Sequence, residues 1–313
     1  NGVNVASTPY DGTIANDNNR LFLGSDPPNS PFAGLIDEVL IHDGQAMDAS
    51  YMRSRTALAA ATGPQTGLVS FYQFENNGTD TAATYRGNAS SVTDNLSIVG
   101  NVSYTAGQVG QAADLDGGYF TAAHSADVEL PATLTVEAWL NPDNAAKEWN
   151  RLLLNWGSGT ETSYHFALHN GAVSLYIKEA DGNALEIAVG GSVTSGQWQH
   201  VAGVLDAATL TGTVYLDGIE VGSGAFDGTL FTTLGEGLGI GESVGGPSAG
   251  NRYSGLLDEL AIWNVALTPS QIASHYLAGA AGYGLPVPEP SAYVLWSLGL
   301  LGLAACGRRK RRR

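Results

Sequence analysis

The side chains able to do chemistry here are carboxylates, histidines and aromatic rings, because the chain has a single cysteine, Cys306. Splitting a glycosidic bond takes two carboxyl groups about 5 Å or about 6.5–9.5 Å apart. Glu137 stands alone on its face of an alternating segment. Asp258 and Glu259 are strand neighbours and point to opposite faces. A serine nucleophile needs a strained turn, and no G-x-S-x-G sequence occurs. His124, His165, His169 and His200 lack the spacing of a metal-binding set. The expectation is a protein that is not an enzyme. Trp149, Trp156, Tyr164 and Tyr176 are the rings suited to stacking on a sugar, the first two flanking a loop. Trp139 and Trp198 read as core residues, and His200, two residues after Trp198, as its packing partner. Calcium, which takes several oxygen donors, is the expected ion. Its candidate ligands are Glu75, near the end of an early strand, and Asp258, in the last one. The competing reading has Asp258 accepting backbone N–H bonds from a neighbouring loop.

Strands must carry these groups. At 133–140, Leu134, Val136, Ala138 and Leu140 fall on one face, and Thr135, Glu137 and Trp139 on the other. Segments 164–168 and 173–177 flank Asn170-Gly171, a hairpin signal. Further strands read at 198–205 and 213–216. One helix is clear: Thr268 caps it, Pro269 fits its first position, Gln271 completes a capping box, and Ile272, Tyr276 and Leu277 give an apolar stripe. With 41 glycines and turn residues throughout, the chain reads as all-β. A unit at 67–279 exceeds the roughly 100 residues of an immunoglobulin-type sandwich. It suits a two-sheet jelly roll of about a dozen strands.

The C-terminus carries a different signal. Val287, Pro288, Glu289, Pro290 and Ser291 precede an apolar run from Ala292 to Cys306, and Arg308, Arg309, Lys310, Arg311, Arg312 and Arg313 follow. As a helix the run reaches roughly 22 Å, short of a bilayer core of about 30 Å. Basic residues stay on the cytoplasmic side, so everything before Pro288 is expected outside. The order of motif, short transmembrane helix and basic cluster resembles the PEP-CTERM protein-sorting signal. That resemblance implies bacterial export, anchoring in the inner membrane, processing by an exosortase, and then the cell surface or matrix. Six of the 14 Lys and Arg lie in this tail, as does one of the 30 acids. The body before it therefore holds 8 cations and 29 acids, a formal charge of −21. Such a surface repels nucleic acid and anionic lipid. The N-x-[ST] sequences at Asn77, Asn88, Asn95 and Asn101 read as chance in a bacterial chain rich in turn residues.

An internal repeat sets the domain boundaries. NGVNVASTPYDGT at 1–13 parallels DGIEVGSGAFDGT at 217–229, and FAGLIDEV at 32–39 parallels YSGLLDEL at 253–260. A period of roughly 215–220 residues is a whole domain rather than a solenoid unit. Asn1-Gly2 matches the Asp217-Gly218 hairpin turn, whose first strand is here expected upstream. Residues 1–62 are expected to be the C-terminal part of a truncated first domain, poorly ordered alone. Residues 67–279 are expected to form a complete domain, 280–287 a linker and 288–313 the sorting signal.

Six landmarks in the complete unit resemble a laminin G-like domain of the concanavalin A-type jelly-roll class. They are GLVSFYQFE at 67–75, LDGGYF at 115–120, LTVEAW at 134–139, GQWQHVA at 196–202, VYLDG at 214–218 and GLLDEL at 255–260. Such domains often hold calcium, and the class contains sugar-binding, protein-binding, structural and catalytic members. The E-x-D-x-x-E strand of its laminarinase-like glycosidases is absent. The implied function is that of a non-catalytic surface or matrix module binding a glycan, a protein or extracellular polysaccharide. The alternatives are an accessory domain of a carbohydrate-active enzyme and a structural spacer.

Overall fold

The computed structural model describes residues 66–82, 94–123, 132–156, 162–231, 237–242 and 250–285. The partial repeat at 1–62, His124 and the sorting segment lie outside them. Among the described residues, fifteen strands form two antiparallel sheets, closed by one helix. The first sheet runs in the order β13 (Ile219–Ala225), β12 (Thr211–Leu216), β11 (Gln199–Asp206), β6 (Leu134–Pro142), β15 (Gly255–Trp263), β4 (Gln111–Asp114), β3 (Ser103–Ala106). β1 (Leu68–Tyr72) also pairs with β15. The second sheet runs β10 (Ala184–Gly190), β9 (Ala172–Lys178), β8 (Thr162–His169), β7 (Trp149–Trp156), β14 (Leu238–Ile240), β5 (Tyr119–Ala122), β2 (Ser97–Val99). This is the all-β sandwich that the alternation predicts.

The core lies between the sheets. Leu134, Val136, Ala138 and Leu140 of β6 meet Tyr164, Phe166 and Leu168 of β8 and Val173, Leu175 and Ile177 of β9 there. Asn170 and Gly171 take φ +51° and +83°, and Asp217 and Gly218 take +50° and +76°. Both pairs thus make two-residue hairpins in the left-handed region that Asn, Asp and Gly tolerate. The helix α1 (Pro269–Ala280) starts at the expected capping box of Thr268 and Gln271. It buries Ile272, His275, Ala278 and Gly279 against the outer face of the first sheet, where Leu68, Phe71, Trp263 and Leu267 form a second apolar cluster.

Two details depart from the alternation. β15 carries a bulge between Asp258 and Ala261, with Glu259 at φ +49°. An extra residue there resets which side chains share a face, so strict alternation fails across Asp258 and Glu259. Trp198 lies just before β11 and is half-buried.

Candidate functional site

The Asn170-Gly171 turn fixes the register of β8 on β9: His169 faces Ala172, Ala167 faces Ser174 and His165 faces Tyr176. Because Tyr164, Phe166 and Leu168 point into the core, His165, Ala167 and His169 point out of it. β7 extends this outer face, with Trp149 opposite His169 and Arg151 opposite Ala167. β10 adds Glu186 opposite Tyr176.

The result is an aromatic platform. Trp149 stacks on His169 with centroids 4.0 Å apart and planes 5° apart. His165 lies 5.2 Å from Trp149 and 6.2 Å from Tyr176. Glu186 Oε1 holds His169 Nδ1 at 2.8 Å and accepts the Ser174 hydroxyl at 2.6 Å, which fixes the orientation of the stacked ring. Trp149, His169, Tyr176 and Glu186 are partly exposed, so ring surface and polar groups are open to solvent together. Burial, with Arg151 and then His169 nearby, pushes His165 down to about 3, so it is neutral at physiological pH. Arg151 is paired with the fully buried Glu242 at 2.8 Å.

This face brings together two of the four predicted stacking residues, Trp149 and Tyr176. Tyr164 is fully buried in the inter-sheet core and cannot reach a ligand. It occupies the opposite parity from His165, and that parity is the reason for this correction. Trp156 closes β7, and its side chain lies outside the described residues. The residues that the sequence reading missed are His165, His169, Ser174 and Glu186. The first three could have been found by counting outward from the two-residue turn.

A second polar cluster sits under α1, on the outer face of the first sheet. Glu137 Oε1 accepts Trp263 Nε1 at 3.0 Å and meets His275 Nδ1 at 2.8 Å, and His200 Nε2 lies 3.5 Å from Oε2. Glu137 therefore does not stand alone. Burial alone would raise its pKa, but His275 and His200 hold it down at about 2. His200 packs against Trp139, 5.5 Å away, rather than against Trp198. Trp139 itself stacks on Tyr276 of α1, outside the inter-sheet core. Burial, then the charge of Asp258, pushes Glu259 up to about 8. Glu137, Trp139, His200, Glu259, His275 and Leu285 line a pocket of about 10 Å³, space for one water and too little for a sugar.

Glu75 and Asp258, the expected calcium ligands, reach the same turn between β3 and β4. Asp258 Oδ2 accepts Val109 N–H at 2.9 Å, and Glu75 Oε1 accepts Gln111 N–H at 3.1 Å. Asp258 Oδ1 is buried without a hydrogen-bond partner. Among the described residues no three His, Cys, Asp or Glu side chains converge as metal ligands. Two carboxylates at one turn fit an ion only if carbonyls or water complete its shell.

Residues 114–273, half of the chain, match the concanavalin A-like lectin/glucanases superfamily. The chain belongs to this superfamily. Residues 286–312 match the PEP-CTERM protein-sorting motif. No curated protein matches the chain. Solved structures share the concanavalin A-like fold. Domain 4 of AbnA, a GH43 extracellular arabinanase from Geobacillus stearothermophilus in complex with arabinotriose, is 23% identical with a TM-score of 0.50, over 66% of this chain and 96% of that one. The binding domain of Paraclostridial Mosquitocidal Protein 1 is 14% identical with a TM-score of 0.55, over 68% of this chain and 52% of that one. The binding domain of botulinum neurotoxin serotype C1 is 10% identical with a TM-score of 0.52, over 69% of this chain and 53% of that one. The chain thus spans about half the length of these two toxin domains. At such identities the likeness carries the fold alone. Among the described residues no helix is long and apolar enough to cross a membrane, and the apolar run at 292–306 lies outside them.

Proposed function

We propose that this protein is an exported bacterial surface or matrix module that binds a glycan without cleaving it, through the outer face of its second sheet. The observation that carries the reading is the Trp149–His169 stack, held by Glu186 and flanked by Tyr176. Ring faces take the C–H faces of a sugar, and the neighbouring Glu186 carboxylate takes its hydroxyl groups. Hydrolysis would need a second carboxyl group facing Glu186. Glu242, the carboxylate that Arg151 of this face holds, is buried. The acidic body and the neutral His165 favour an uncharged glycan over a polyanion.

Binding to an array of neutral and acidic glycans, with a hydrolysis screen on the same panel, tests this. Binding to neutral glycans without turnover is expected, and Trp149→Ala should weaken it roughly tenfold or more. Turnover would overturn the non-catalytic reading, and undiminished binding by Trp149→Ala would move the site elsewhere. The likeness to one domain of an arabinanase favours, as a second reading, an accessory domain of a longer carbohydrate-active enzyme.

The sorting signal supplies the address. In this reading the 292–306 run anchors the exported chain in the inner membrane, basic tail inside, until an exosortase-type enzyme processes it. A structural calcium ion between Asp258 Oδ1 and Glu75 would complete the picture. Millimolar calcium should then raise the Tm by a few degrees, and Asp258→Ala should abolish that rise. An unchanged Tm sinks the ion.

A further inference from the structure

The folded body of this domain does not stop at its last helix. Ala281 N–H closes α1 on Leu277 and Ala278, and Gly282, at φ +80°, turns the chain back. Tyr283 N–H then returns to the Ala278 carbonyl at 3.0 Å. Leu285 is 9% exposed and joins the apolar cluster of Leu68, Phe71, Trp263 and Ile272. Its N–H donates to Glu259 Oε2 at 3.3 Å. Gly284 passes so close to that carboxylate that a Cβ would lie 2.6 Å from Oε2 and would have to push the carboxylate aside. Gln108, from the turn between β3 and β4, donates to the Gly279 carbonyl at 2.9 Å and ties down the helix end. The bulge at Glu259 is what turns its carboxylate toward this segment. Residues 281–285, which the sequence reads as linker, are therefore docked on the sandwich.

The sorting match begins at the next residue, 286. Only Pro286 and Val287 separate the docked Leu285 from Pro288. At 3.3–3.6 Å per residue, roughly 10 Å is the most that this stretch can reach. A processing enzyme must grip an extended peptide, and so short a tether leaves it little room beside a folded domain. Freeing 282–285 adds roughly 13 Å of reach.

We propose that residues 282–285 are a strap that keeps the sorting motif within roughly 10 Å of the folded sandwich, and that the strap must come off before the processing enzyme engages the Pro-Glu-Pro segment. This rests on the exosortase reading above. Burial of one leucine biases the strap toward its docked state on the order of ten- to a hundredfold, so undocking limits the rate.

The test is a pulse–chase of the full chain in a host that carries an exosortase. Three variants are compared with the wild type: Leu285→Ser, ten Gly/Ser residues inserted between Leu285 and Pro286, and Glu289→Ala. The first loosens the strap. The second leaves every strap contact intact and supplies reach, so it decides the matter even if Leu285→Ser fails to fold. Both should be processed about tenfold faster or more, and Glu289→Ala should not be processed. Wild-type rates in the insertion variant overturn the strap. Processing of Glu289→Ala at the wild-type rate, or of no variant at all, instead overturns the sorting reading on which the strap depends.

Discussion

Glu137 and Glu259 line one small pocket, yet their surroundings push their proton affinities in opposite directions. Glu137 is held at about 2 by His275 and His200, and Glu259 is raised to about 8 by burial and then by Asp258. Between the ordinary glutamate value of 4.5 and about 8, an unfolded chain has released the Glu259 proton while the folded one keeps it. Raising the pH across that window therefore favours unfolding. From 4.5 down toward 2 the folded Glu137 stays ionised while the unfolded one takes up a proton, so stability falls there too. Asp258, raised to about 7 chiefly by burial, acts in the same sense as Glu259. Denaturant unfolding across pH should show maximal stability near pH 4.5 and a loss on the order of a few kcal/mol by pH 8. Glu259→Gln should flatten the alkaline limb while leaving stability at pH 4.5 nearly unchanged. A limb of the same slope in that variant would assign the effect to other acids. None of this was legible in the sequence. Glu137 meets His275 across 138 residues of chain, so no spacing announces the pair. The outer-face rings differ, since a two-residue turn relates His165 to Tyr176 by counting alone.

At the scale of elements, α1 docks because it offers no side chain where Trp139 needs room. A Cβ at Gly279 would overlap the Trp139 indole. Alanine is the better helix former by about 1 kcal/mol, but that gain is outweighed by forcing the indole away from Tyr276 and His200, a steric cost of about 1–3 kcal/mol. Gly279→Ala should therefore lower the Tm by several degrees, whereas propensity alone would raise it. A melting curve of the full chain separates the two. The capping box, both hairpin turns and the core face of β6 were legible because each is written within a few residues. The bulge at Glu259 was not. The run Leu256, Leu257, Asp258, Glu259, Leu260 reads as an ordinary strand, and the bulge shows only in the pairing, where Asp258 meets Trp139 and Ala261 meets Glu137 on β6. The docking of Leu285 was hidden likewise, because its neighbours Leu68, Phe71 and Trp263 come from both ends of the domain.

For the whole molecule, the decisive feature is where β15 sits. Among the described residues it is the last strand, and it lies in the interior of the first sheet, between β6 on one edge and β4 and β1 on the other. Its partners span residues 68–142, so its pairings close very long loops. Such topologies fold slowly, in milliseconds to seconds. A chain still emerging has made β6, β4 and β1 but lacks the strand that joins them, and those edges are the ones through which an incomplete chain would aggregate. Completion waits for residue 263, shortly before the sorting match at 286. Closure of the sheet and arrival of the sorting segment thus fall in one short interval. Protection of the open sheet edges is needed up to that moment, and cover for the outer apolar cluster until α1 and Leu285 follow.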